Sequence, residues 1–303
     1  MDNATRLQLE RNIFHAAHQA CEPWDQFRWH TGQNGKIDTH VGHASQALAI
    51  DVFGTIKMSS SCDAILDALA QTVGLPTGGP WTVTLEWDTP NALLGEPRPT
   101  QVDVYAESHQ AVLVCECKFT EANGGACSQT NKKNGVAPCN GHYELQINPK
   151  NGVTSRCALS GKHIQYWEII PQVFRLDAKS DYHPCPFAGP AYQWMRNLLV
   201  GYEQARRLHK QAAVVIVYAD APHLPMAKKV RSSEWTQFVQ TVKQEGVTLQ
   251  VRSYQEIILL AQEIVRGNEI NEQVWTELAE WVDRKIAVTS IGTPGRPMPA
   301  EIA

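Results

Sequence analysis

The stretch that most limits what this chain can fold into is residues 111–118, AVLVCECK, an apolar ribbon that carries Glu116 and Lys118 at its end. A continuous apolar run this short reads as a strand buried on both faces. An unpaired charge is costly to bury, so charges at the end of such a strand need a reason. Residues 102–105 read as a second strand, ahead of a polar turn at 107–110. Glu116 and Lys118 are two apart and project to the same side of a strand, and Asp103 lies on the neighbouring one. If the two strands pair as a hairpin, two carboxylates and an ammonium converge. That convergence is either a site for chemistry or a strand-end salt bridge among Asp103, Glu116 and Lys118.

The chain has 303 residues, 43% apolar and 19% charged. That balance describes a globular protein, neither disordered nor membranous. No apolar run approaches the ~20 residues needed to span a bilayer, so no membrane association is expected. The start, MDNATRLQLERNIFHAA, lacks a basic segment followed by an apolar one. A cytoplasmic protein is therefore expected. The net charge of −4 gives no support for nucleic acid by itself, so local patches must carry that case.

Periodicity predicts helices at 3–19, at 43–53 (closed by Gly54) and at 63–73, then a strand at 81–87 and a Pro-rich loop at 89–99. The hairpin follows. Residues 122–190 are irregular and rich in Gly, Asn, Pro and Cys, with a short element near 164–174. A helix at 191–208 carries the apolar stripe Tyr192, Met195, Leu199 and Tyr202. Residues 212–219 (AAVVIVYA) read as a central strand. A helix at 233–245, a strand at 247–251 and helices at 253–266 and 271–286 complete the order, and the Gly- and Pro-containing tail 287–303 is expected to be flexible. The whole reads as one α/β domain over 1–286: a mixed central sheet flanked by helices, with a cysteine-containing loop insertion at about 122–190.

Asp103 followed by Glu116-Cys117-Lys118 is a D…ExK arrangement. An Asp-bearing strand, ExK on the next strand and flanking helices together resemble the PD-(D/E)XK nuclease superfamily. The leading proline stands four residues early, in Pro99-Thr100-Gln101-Val102-Asp103. The segments LGEPRPTQVD, CECKFTE, GKHIQYWE, CPF and YQWMRN look more specifically like bacterial restriction-endonuclease-like proteins, over roughly residues 48–219. The resemblance implies a restriction-endonuclease-like core and a Mg²⁺- (or Mn²⁺-) dependent DNA endonuclease serving restriction or anti-phage defence. It implies Asp103, Glu116 and the backbone carbonyl of Cys117 as metal ligands and Lys118 as the group that orients water or stabilises charge. It also allows a homodimer, in which two sites cut two strands. The other reading is a catalytically silent nucleic-acid-binding protein of the same fold.

The residue types suit the chemistry, since hard divalent cations take oxygen ligands. Glu86, on the preceding strand, and Glu96, in the loop LGEP, compete as the third acid. Glu121 lies three residues past Lys118. The early helix offers Asp51, or Gln46 as a neutral option. Gln193 and Asn197 are one turn apart on the 191–208 helix, either touching the substrate backbone or forming a polar solvent face. Lys132, Lys133, Lys150, Arg156 and Lys162 face a single acid, Glu144, within 122–165. They form either a solvated loop or a phosphate-facing surface. Cys127, Cys139, Cys157 and Cys185 lie in that insertion without a CxxC pair. They are either independent reduced thiols or ligands for Zn²⁺ or an iron–sulfur cluster, with His142 or His183 able to replace a thiol. His40 and His43 are either a metal pair or, with no third ligand in view, surface or capping residues.

Overall fold

The apolar ribbon lies where two kinds of strand pairing meet. The computed structural model describes residues 1–290 apart from 33, 34, 91, 92, 148–151 and 153. Its helices and strands are α1 (Asn3–Asn12), α2 (Ser45–Ala49), α3 (Thr55–Met58), α4 (Cys62–Thr72), β1 (Thr82–Asp88), β2 (Gln101–Glu107), β3 (Ala111–Lys118), β4 (Gln146–Ile147), β5 (Thr154–Ser155), α5 (Tyr166–Val173), α6 (Tyr192–Leu208), β6 (Gln211–Tyr218), α7 (Pro225–Lys229), α8 (Ser233–Thr241), β7 (Val247–Ser253), α9 (Tyr254–Val265) and α10 (Glu269–Thr289). The central sheet runs β1-β2-β3-β6-β7. β1/β2 and β2/β3 are antiparallel, whereas β3/β6 and β6/β7 are parallel. Every residue of β3 is buried, as its composition requires of a strand with neighbours on both edges and helices on both faces. This is a mixed α/β core flanked by helices, compatible with a restriction-endonuclease-like fold.

Helix α6 covers one face. A Cβ on Gly201 would lie 3.0 Å from Val214 and 3.3 Å from Val247, so glycine lets the helix sit close to the sheet. Further along, Gln204 donates to the Tyr105 hydroxyl at 3.2 Å. The opposite face packs α9, whose Tyr254 contacts the Cys117 thiol, and α4 and α10 pack against α9. The Ser253/Glu256 capping box starts α9 directly at the end of β7.

The early helix differs from expectation. Gly54 does not close it: α2 passes through a π-helical turn, Ile50–Gly54, into α3. Gly54 serves close approach instead, because a Cβ there would lie 2.9 Å from that of Ala17. The first helix stops at Asn12 rather than continuing to 19, because the Phe14 amide is drawn to the Asp51 carboxylate at 2.7 Å and a 3₁₀ segment, His15–Cys21, follows. Asp51 itself is a core residue. It pairs with Lys285 at 2.6 Å and accepts from Trp281 at 3.0 Å, so it serves the packing of α10. Helix α10 runs past 286 to Thr289, and the rest of the expected tail, 291–303, lies outside the described residues.

Candidate active site

The site forms where the β2/β3 ladder stops. Pairing ends at Val104↔Cys115, although the register would next set Asp103 opposite Glu116. The Asp103 carboxylate takes over instead and accepts the Cys117 backbone N–H at 2.6 Å. β1 breaks at the same level. Leu85↔Val104 and Trp87↔Val102 pair, but Glu86 between them has φ 52° and no ladder partner. A left-handed φ at a non-glycine residue costs roughly 1–3 kcal/mol, and such strain gathers at functional positions. Here it coincides with a buried glutamate beside Asp103.

Glu86, Asp103 and His30 form a compact group whose ligand atoms all lie within 4.8 Å of one another. His30 Nε2 is 3.1 Å from the Glu86 carboxylate. Burial works against its charge, yet Glu86 and Asp103 outweigh that and bring the His30 pKa up to about 9. Loss of water first, then the negative charges of Glu116 and Glu86, hold the Asp103 carboxyl well above its ordinary range. Gln46 fixes the His30 segment: its side-chain oxygen accepts the His30 amide at 2.8 Å and its amide donates to the Arg28 carbonyl at 2.8 Å. Gln46 thus positions a neighbour of the acids.

Glu116 and Lys118 point to the α6 side. Only 1% of Glu116 and 6% of Lys118 is exposed, so both charges need partners. Lys118 Nζ donates to Glu116 at 2.6 Å and to Gln193 at 3.0 Å, while the Asn197 amide donates to the other Glu116 oxygen. Burial acts to lower the Lys118 pKa, but the Glu116 and Asp103 charges raise it overall, so the ammonium stays charged. The strand-end salt bridge is therefore present between Glu116 and Lys118, with Asp103 outside it. Gln193 and Asn197 face inward, towards this pair, and not to solvent.

Glu96 is held elsewhere: its carboxylate accepts from Thr100 at 2.5 Å and from the Tyr166 hydroxyl, bracing the 93–100 loop against α5. Glu121 turns back to the Phe119 amide at 2.9 Å. Glu121, His30, Asp38, His43 and Gln46 line a cavity of about 270 Å³. His43 thus faces this cavity. His30 carries no sequence signal, since it lies in an irregular segment with no motif around it; only the fold brings it to Glu86.

The insertion also gathers residues. Cys127, Cys139, Cys157 and Cys185 line one small cavity with Tyr166, Trp167 and Phe187. Burial pushes the Cys127 thiol up to about 11 and that of Cys185 up to about 12, which does not suit a nucleophile. Of the basic residues, Arg156 pairs with Asp181 and Lys162 donates to Gln129. Lys132 and Lys133 are exposed, and Lys150 lies outside the described residues.

The family model for "Restriction Endonuclease associating with ARP" matches residues 2–280. The chain belongs to this family. No curated protein and no solved structure matches it. Membership in REase-ARP gives the chain a nuclease-related role, and a restriction endonuclease family implies DNA as substrate. Nuclease-like families generally use divalent metals, and the His30–Glu86–Asp103 group is one possible ligand triad. No helix among the described residues is long and apolar enough to cross a membrane.

Proposed function

We propose that this chain is a divalent-metal-dependent DNA endonuclease that hydrolyses phosphodiester bonds in restriction or anti-phage defence. The observation that carries this reading is the placing of two carboxylates, Glu86 and Asp103, within 4.8 Å of each other at a break in the sheet. Like charges that close resist joint ionisation unless a cation lies between them. A carboxylate-rich donor set fits a hard cation. Asp103, Glu116 and the Cys117 carbonyl, with Glu86 as the third acid, would hold Mg²⁺ or Mn²⁺, which would supply positive charge for the scissile phosphate and acidify a water.

The remaining work falls to side chains. Lys118 presents a charged ammonium for the negative charge that builds up on phosphate oxygens, and helps orient the attacking water. Gln193 holds that ammonium at 3.0 Å, and Asn197 holds Glu116. His30 keeps the Glu86 carboxylate turned towards Asp103. Lys132 and Lys133 supply exposed charge for the DNA backbone.

The test is a cleavage assay on plasmid, linear and single-stranded DNA with Mg²⁺, Mn²⁺ or EDTA, beside Asp103→Ala. Metal-dependent cutting by the wild type alone is expected. If every substrate stays intact, the hydrolytic reading falls. Salt-sensitive binding without cutting, indifferent to EDTA, would point to a nuclease-like fold that only binds nucleic acid.

A further inference from the structure

The insertion holds a second cluster that the hydrolytic reading leaves unused. Cys127, Cys139, Cys157 and Cys185 are spread over 122–190, yet all four half-buried thiols line one cavity of about 30 Å³. Its other walls include Tyr166, Trp167, Ile170, Phe187 and Met195, so the surroundings of the thiols are mostly apolar.

One sulfur is met by backbone: the Gly141 amide donates to Cys139 Sγ at 3.4 Å. Amide hydrogen bonds of this kind offset the charge of metal-bound thiolates and tune the centre. The turns that carry the cysteines are tied together as well: the Cys127 amide donates to Ala188, that of Cys139 to Gln129 and that of Cys185 to Gly141.

We propose that Cys127, Cys139, Cys157 and Cys185 hold a soft metal centre, an iron–sulfur cluster or a single Zn²⁺, that fastens the insertion. Four thiolates suit both. A single zinc, with Zn–S near 2.3 Å, draws tetrahedral sulfurs to about 3.8 Å from one another. Among the described residues, the ligand group closing within 4.8 Å is His30–Glu86–Asp103 and not the thiols. The wider thiol spacing favours the cluster, which sets its own iron and sulfide between the sulfurs. The cysteine-bearing loops have little regular structure of their own, since β4 and β5 are two residues each. This site is independent of the acids at Asp103.

The test is metal and acid-labile sulfide analysis of the full chain, purified with no chelator and under nitrogen. Iron with sulfide and broad visible absorption, or one zinc per chain, is the expected result. Cys157→Ser and Cys185→Ser should each lower the metal content at least about tenfold, since even a residue that only supports a ligand costs ~10–100-fold in affinity. Cys62→Ser, outside the cluster, should retain it. Should the variants fail to fold, labelling of native wild type followed by mass analysis decides: the four thiols should resist reagent until acid or a strong chelator releases the metal. Wild type with neither zinc nor iron, disulfides among these cysteines, or full metal content in the Cys157→Ser/Cys185→Ser double variant would each overturn the proposal.

Discussion

Asp103→Asn should make the metal-free protein more stable while removing its response to divalent cations. Asparagine keeps an oxygen to accept the Cys117 N–H, so the local hydrogen bond survives. What disappears is the negative charge within 4.8 Å of Glu86. Two such charges repel by about 3 kcal/mol at an effective dielectric constant near 20. His30 beside Glu86 offsets part of this, which leaves a net gain of about 1–2 kcal/mol, or roughly 2–3 °C in Tm. The sign depends on pH. Burial and its acidic neighbours raise the Asp103 pKa in the folded state, so the native protein binds that proton more tightly than the unfolded chain. The penalty is thus absent near pH 4 and grows as pH rises through the raised value. Thermal unfolding in EDTA from pH 4 to 8 should show the variant level with wild type at the acid end and above it at the alkaline end. With Mg²⁺ at ~100 times its Kd the wild type gains about 2.7 kcal/mol and the order reverses. A variant that melts below wild type in EDTA at pH 8 would show that Asp103 is not a repelled charge, and one that gains as much from Mg²⁺ would show that it is not a metal ligand.

Other expectations concern neighbouring charges. Lys118→Met keeps the buried stem and should cut DNA about 10²–10³-fold more slowly with an unchanged circular dichroism spectrum, as for loss of one charge-stabilising donor; undiminished cutting removes Lys118 from the chemistry. The His30–Glu86 pair should contribute up to about 1 kcal/mol, because His30 is half-exposed. Its raised pKa means that this contribution is complete below pH 6.5 and lost as pH rises through about 9, so the Tm gap between wild type and His30→Gln in EDTA should close over that window. Lys285→Met strands a buried Asp51 carboxylate and should cost ~3–5 kcal/mol in urea unfolding, most of it restored by adding Asp51→Asn.

The core was legible because its strands are extreme in composition. Residues 111–118 and 212–219 admit few readings other than central strands, and ExK at the end of one of them marked the place of Glu116 and Lys118. Gln193 and Asn197 were visible as polar positions on a helix face, but the direction of that face follows from the packing of Gly201 on β6, which periodicity does not report. His30 was invisible, since a histidine in an irregular segment acquires meaning only when Gln46 ties its backbone beside β1. Gly54 misled because a glycine after an apolar helix usually signals a stop, whereas here a crossing segment needs the missing Cβ. Glu96 and Glu86 looked equivalent as acids, and the separation came from the backbone: a left-handed turn holds Glu86 beside Asp103, while Thr100 and Tyr166 engage Glu96.

The hydrogen bond between Lys118 and Gln193 joins residues 75 apart in sequence, at the two places where the insertion leaves the sheet and rejoins α6. The chain departs from one side-chain contact and returns to it. Whatever happens between those points has its ends pinned at a fixed separation, and a longer or shorter excursion adds only slowly to the entropy of closing the loop. Only the exposed loops of that segment can be lengthened or trimmed on those terms, because Tyr166, Ile170, Phe174 and Phe187 within it are buried in the core and α5 packs against α6.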